Sequence, residues 1–306
     1  MKAIKFVITS LMLSLSLSCV AQLAVSPMKI SSGKLQRVVL NSEYMDSMTV
    51  DIWTPDGYPK ATSYKVLYMH DGQMLFDKNS TWNKQAWEVD SIAGEMLNDG
   101  KLSPFIVVGI HSTAATRTAD LMPERVMQYI VNDSIEALMT KMIANNLRGD
   151  RYLKFIVTEL KPFIDKNYKV DPSRGATAVM GSSMGGLMSM YAICEYPTVF
   201  GSAACLSTHL VGFPYPNVEI PTAICEYLKN HLPNPKTHRI YFDHGDQTLD
   251  ALYPPYQKMV DSVMLQKGYS TANWITCFFK GHAHQETAWA SRLHIPLSFL
   301  FPVTLH

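Results

Sequence analysis

The stretch Gly181-Ser182-Ser183-Met184-Gly185-Gly186 constrains the fold of this chain more than any other. It follows the apolar run Ala176 to Met180 and precedes the helix-like Leu187 to Tyr196, so it reads as strand, sharp turn, helix. Glycine two residues either side of a serine permits a turn too tight for larger side chains, and it leaves the serine exposed in a strained conformation. By this spacing Ser183, and not Ser182, is the candidate nucleophile. The N–H of Met184 is then aimed at a developing oxyanion. A glycine-rich turn without chemistry is the plain alternative, and the flanking strand and helix favour the catalytic reading.

Around this turn, strand-like and helix-like segments alternate, which predicts a mostly parallel sheet with helices on both faces. Leu35 to Leu40 and Met48 to Trp53 read as an antiparallel opening hairpin. Tyr64 to Met69 and Phe105 to Ile110 are continuous apolar runs, as expected of strands covered on both sides. Helical spacing appears over Gln85 to Leu97, Asp150 to Asn167, Asp250 to Gly268 and Trp289 to about Leu300, with a further segment near Val126 to Ile143. Ser202 to Ser207, His238 to Asp243 and Asn273 to Phe279 read as strands, and Thr208 to Pro235 as a loop-like excursion. The Met-rich stretch from Thr113 to Leu147 is expected over the carboxyl ends of the strands, where such sheets keep their ligands.

The 306 residues, 47% hydrophobic and 17% charged, can bury one large α/β core, and no linker divides them. Residues 22–306 are therefore expected to form a single catalytic domain. A net charge of +1, with no basic run interleaved with aromatics, excludes an electrostatic footprint for nucleic acid. Residues 1–21 read as a secretory signal peptide: Lys2 and Lys5, an apolar run from Phe6 to Leu17, then Ser18-Cys19-Val20-Ala21. The expected product is exported, periplasmic or secreted, without a transmembrane segment. Cleavage after Ala21 gives a soluble form, whereas cleavage before Cys19 leaves a lipid-anchored one. Cys194, Cys205, Cys225 and Cys277 are scattered, without the spacing of a zinc site or redox pair, and core packing is their expected role.

A serine hydroxyl becomes a nucleophile when a histidine takes its proton and a carboxylate orients that histidine. The acid candidates follow the strand ending near Phe242: Asp243 belongs to the strand, Asp246 is the alternative, and Asp250 is preferred. As a helix-opening aspartate, Asp250 could equally be an N-cap. For the base, His284 is preferred to His282, because a longer loop past the last strand brings the imidazole back over the turn. The His-x-His pair has no third ligand of metal-site spacing nearby, and neither metal nor cofactor is expected. His70-Asp71-Gly72-Gln73, after an early strand, makes Gln73 the candidate second oxyanion donor beside Met184. Trp82, Trp87 and His209 are candidate substrate contacts.

Tyr68-Met69-His70-Asp71-Gly72-Gln73, the Gly181 to Gly186 turn, Phe242-Asp243-His244-Gly245 with Leu249-Asp250, and Gly281-His282-Ala283-His284-Gln285-Glu286-Thr287-Ala288-Trp289 together resemble the esterase-D-like putative esterase family of α/β-hydrolases. The resemblance covers most of the mature chain, in order. It implies the α/β-hydrolase fold and a triad matched by Ser183, His284 and an acid near Gly245, with Gln73 and Met184 matching the oxyanion pair. Where the family often carries its acid about three residues past the glycine, this chain has Thr248. The family includes feruloyl, acetyl-xylan and siderophore esterases, S-formylglutathione hydrolases and mycolyltransferases. With export, the resemblance implies a serine esterase acting on an acylated carbohydrate. A siderophore esterase, an acyltransferase and an inactive binding protein of the same fold are the alternatives. The composition is silent on oligomeric state.

Overall fold

The computed structural model describes residues 20–22, 28–142, 146–213 and 215–303. Most of the expected signal peptide therefore lies outside the described residues. The strands are β1 (Val20–Gln22), β2 (Lys34–Leu40), β3 (Met48–Thr54), β4 (Lys65–His70), β5 (Phe105–Ile110), β6 (Thr177–Ser182), β7 (Ser202–Leu206), β8 (Arg239–His244) and β9 (Trp274–Phe278). The helices are α1 (Val89–Asn98), α2 (Arg117–Asp120), α3 (Asp133–Met142), α4 (Gly149–Phe155), α5 (Lys161–Asn167), α6 (Met184–Glu195), α7 (Glu219–His231), α8 (Tyr253–Gln266), α9 (Glu286–Arg292) and α10 (His294–Leu300).

The strands form one sheet in the order β1-β2-β3-β5-β4-β6-β7-β8-β9. Pairing is antiparallel from β1 to β5 through β3 and parallel from β5 to β9. This is the α/β-hydrolase fold, with its antiparallel opening. The chain runs outward from β4 to β5 and then returns to place β6 on the other side of β4, with Met69 opposite Met180. The loops leaving β4 and β6 thus open side by side at the point where strand order reverses, the place where open α/β sheets bind ligands.

Alternation along β4 divides the core between the two faces of the sheet. Val66 and Tyr68 pack with Leu153, Phe155, Ile164, Met188 and Val260, whereas Leu67 and Met69 pack with Val89, Met96, Leu297 and Leu300. Each side chain of this kind, fully buried, contributes about 1.5–3 kcal/mol. Helix α6 is buried from Met184 to Cys194 because strands and helices enclose it on all sides.

Several segments depart from the sequence expectation, three of them most clearly. Residues 208–235 are not simply a loop: they contain the 13-residue helix α7, whose Ile220, Ala223, Ile224, Tyr227 and Leu228 bury one face. Pro221 lies in the first turn, where a missing N–H costs no helical hydrogen bond, so the prolines that suggest a loop are compatible with a helix. The helix expected over Asp150 to Asn167 widens into a π turn at Ile156–Leu160. Pro162 has no N–H to offer the carbonyl of Thr158, and the widened turn immediately precedes it. The helix expected from Asp250 begins instead at Tyr253, after a 3₁₀ turn over Thr248–Leu252.

Candidate active site

Ser183 joins β6 to α6 at φ 57°, ψ −121°, a conformation that costs a non-glycine residue roughly 1–3 kcal/mol. Its flanking glycines are required by contact. A Cβ on Gly181 would lie 2.7 Å from the carbonyl carbon of Gly185, and one on Gly185 would lie 3.1 Å from the Cβ of His70. The strained residue is held by its backbone: Ser183 N donates to Leu206 O at 3.0 Å, and Ser183 O accepts from His209 N at 3.1 Å. Ser182 is the last residue of β6 and is buried.

The same Gly185 places the loop after β4 against the turn, because its missing side chain also faces Asp71 Oδ2. Asp71 adopts φ 57° and is clamped by Arg117, whose Nε and Nη2 donate to its two carboxylate oxygens at 2.8 and 2.7 Å. Burial raises the Asp71 carboxyl, but Arg117 and the hydroxyl of Ser112 outweigh it and hold the group below the usual carboxylate range. Ser112 also closes on Gln73, accepting from Nε2 at 2.9 Å and donating its N–H to Oε1 at 3.0 Å. The side chain of Gln73 is thus occupied, and its backbone lies in a one-turn 3₁₀ helix, Gly72–Met74. Met184 is the first residue of α6. Both backbone N–H groups belong to helix starts, where intrahelical acceptors are lacking. Arg117 comes from the stretch expected over the strand ends, and this contact ties that stretch to the site.

At the other side, Asp250 is fully buried, and its Oδ1 lies 2.6 Å from His284 Nδ1. Its Oδ2 accepts from Gly245 N at 2.7 Å and from Ser207 Oγ at 2.6 Å. Burial raises this carboxyl, and the hydrogen bonds from His284, Ser207 and Gly245 more than offset it, so the net shift is downward. None of these bonds caps α8, whose N-cap is Leu252. Thr248, at φ 55°, accepts the backbone N–H of His284 at 2.8 Å. Asp246 sits at the surface instead, accepting from Gln247 Nε2 and Gly281 N. His282 is paired through Nδ1 with Arg292 Nη1 at 3.3 Å, and its carbonyl accepts from Asp246 N and Gln247 N.

The imidazole of His284 stands edge-on between Tyr253 and Trp289, at ring distances of 5.7 and 5.1 Å. Tyr253 is the common neighbour of the two halves of the site. Burial and the nearby Asp250 push its phenol well above the usual tyrosine range, and the neighbouring Ser183 hydroxyl works against that. The phenol also meets His209 Nδ1 at 3.0 Å. Burial, with the nearby His284 and Arg117, lowers His209 to about 4. Of the two tryptophans, Trp82 is 84% exposed, whereas Trp87 is buried with its ring 5.5 Å from that of Trp289. A cleft of about 690 Å³ beside α1 and α9 is lined by residues such as Lys84, Glu88 and His294, and not by Ser183, Asp250 or His284 themselves.

Ser207 and Arg292, which carry no sequence signal, also converge here with Asp243 and Trp289. Asp243 and Arg292 form a fully buried pair at 2.8 Å, and Trp289 Nε1 and Arg292 Nη2 both reach Ser207 Oγ. The thiols of Cys194, Cys205, Cys225 and Cys277 are free, and the first three are buried.

A strained serine between a β-strand and a helix, at the strand-order reversal of this sheet, defines an α/β-hydrolase. The chain belongs to the Putative esterase family, whose model matches residues 42–295. Among curated proteins it is 28% identical over 190 residues to an endo-1,4-beta-xylanase/feruloyl esterase of Xylanibacter ruminicola, covering 58% of this chain but only 22% of that relative. It is 21% identical to the uncharacterized protein YbbA of Bacillus subtilis, covering 82% of this chain and 91% of that protein. Among solved structures, a ferulic acid esterase superposes with a TM-score of 0.63 at 18% identity, over 88% of this chain and 98% of the other. The enterobactin esterase of Shigella flexneri superposes with a TM-score of 0.65 at 19% identity, over 90% of this chain and 60% of the other. At these identities the structural likenesses establish the fold alone.

Proposed function

We propose that this protein is an exported serine esterase that cleaves carboxylic esters of acylated carbohydrates, acetyl or feruloyl, through an acyl-enzyme on Ser183. The observation that carries the reading is the buried Asp250 carboxylate 2.6 Å from Nδ1 of His284, in a fold that also presents a strained Ser183 ahead of α6. His284 Nε2 takes the Ser183 proton as Oγ attacks the ester carbonyl. Asp250 holds Nδ1–H and supports the imidazolium. The backbone N–H groups of Gln73 and Met184 receive the oxyanion. Collapse expels the alcohol, which takes the proton back from His284. Water, deprotonated by the same histidine, then releases the acid.

The feruloyl acyl group is supported by the xylanase/feruloyl esterase relative and the carbohydrate alcohol by the same protein, and export by the Lys2-to-Ala21 composition. Among the described residues no helix is long and apolar enough to cross a membrane. A panel of p-nitrophenyl acetate, p-nitrophenyl butyrate and feruloylated arabino-oligosaccharide tests the activity. Release of ferulate or acetate is expected, and inactivity on every ester would support the inactive binding protein instead. Mass spectrometry of the chain recovered from cells tests export, with an N-terminus at Gln22 expected.

A further inference from the structure

Ser207 ends the chain's passage through β7, is completely buried, and adopts φ 40°, a region where glycine is the less strained residue. What the serine adds there is one hydroxyl. Its oxygen lies 2.6 Å from Asp250 Oδ2, 2.9 Å from Trp289 Nε1 and 3.0 Å from Arg292 Nη2. Indole and guanidinium nitrogens can only donate hydrogen bonds. Two incoming hydrogens therefore occupy the lone pairs of Ser207 Oγ, and its single proton goes to Asp250. The direction of that hydrogen bond is fixed by its neighbours.

We propose that Ser207 is a positioning residue for the acid of the site, a one-way donor that holds the Asp250 carboxylate with Oδ1 turned to His284. This rests on the triad reading given above. With Ser207 and Gly245 N both on Oδ2, Oδ1 is the oxygen left for the imidazole. The donor is itself anchored. Arg292 is gripped by Asp243 through Nε at 3.1 Å and Nη2 at 2.8 Å, and the N–H of Ser207 donates to Asp243 O at 2.8 Å. The chain of contacts Asp243, Arg292, Ser207, Asp250, His284 thus sets a buried guanidinium one hydroxyl away from the acid. Trp289 serves twice, donating to Ser207 and bounding the imidazole.

Ser207→Ala and Ser207→Gly remove the hydroxyl, and the glycine also relieves the positive φ. Measured with p-nitrophenyl acetate beside Asp250→Asn, both should lose about one to two orders of magnitude in kcat, short of the ~10⁴ expected when the acid itself is lost. KM should stay within about twofold. The acidic limb of the kcat/KM profile should move to higher pH, because a carboxylate deprived of one donor favours the imidazolium more strongly. The other groups facing that imidazole are the Tyr253 phenol on α8, His209 after β7 and, behind Ser207, Arg292 on α9, and all are retained. A residue that only fills space would leave the limb in place. Folded variants with unchanged kcat and an unmoved limb would overturn the proposal, as would loss of folded protein in both, which would make Ser207 a structural prop. Activity retained in Asp250→Asn would instead count against the triad reading itself.

Discussion

The carboxylate of Asp250 meets His284 Nδ1 at 2.6 Å, whereas Asp246, four residues earlier, faces solvent and the Gly281 N–H. The 3₁₀ turn over Thr248–Leu252 makes the difference. Thr248 at φ 55° bends the chain inward, so Asp250 enters the space behind the last loop while Asp246 remains outside.

Asp250→Asn is expected to reduce kcat by about 10⁴, as loss of the orienting carboxylate does in triad enzymes. Asp246→Asn should stay near the parent rate. Steady-state kinetics on one activated ester compare them, and the reverse ranking would transfer the acid to Asp246.

Arg117→Met leaves the Asp71 carboxylate without its bidentate partner and frees the Gly72–Met74 turn. Loss of one oxyanion donor costs about 10²–10³ in kcat. A decrease up to about 10²-fold in kcat, with KM little changed, is expected. Lysine at this position should recover only part of it, since an ammonium cannot span both oxygens. An unchanged kcat in Arg117→Met would detach this loop from the chemistry.

Gly181→Ala introduces a methyl group 2.7 Å from the Gly185 backbone. Overpacking of this kind costs about 1–3 kcal/mol, and relief would displace Ser183. A lower unfolding midpoint together with lost activity is expected in thermal melts and ester assays. Full activity with a parental midpoint would contradict the packing described for the turn.

Burial lowers both His70 and His209 from 6.5 to about 4, Arg117 contributing to each. The unfolded chain binds these protons first as the solution is acidified. Their contribution to stability is therefore complete above about pH 6.5 and is lost as pH falls through 4, by about 3 kcal/mol for each histidine. Chemical denaturation at constant ionic strength should show stability declining over this interval. His70→Asn should make the decline shallower, and an identical slope would refute the assignment for His70.

Local features of the site were legible in the sequence because they are set by neighbours in the chain. The Gly181-x-Ser183-x-Gly185 spacing reflects contact between residues four apart, and the apolar runs of β4 and β5 reflect burial on both faces. Helix α7 was obscured because Pro221 reads as a breaker wherever its position in the helix is unknown. Trp82 and Trp87 are alike in composition, yet one points outward and the other packs on Trp289, a contact separated by some two hundred residues. Ser207 and Arg292 come from distant elements and carry no motif or periodicity, and nothing in the sequence pairs Asp243 with them. Only the folded sheet brings the ends of β7 and β8 to the side of α9.

The site of covalent labelling by a serine-directed alkyl p-nitrophenyl phosphonate, read by peptide mass spectrometry, tests Ser183 as the nucleophile. One phosphonyl group per chain on Ser183 is predicted, with activity lost in proportion and no labelling of Ser183→Ala. Labelling at Ser182, or no labelling of active enzyme, would contradict it.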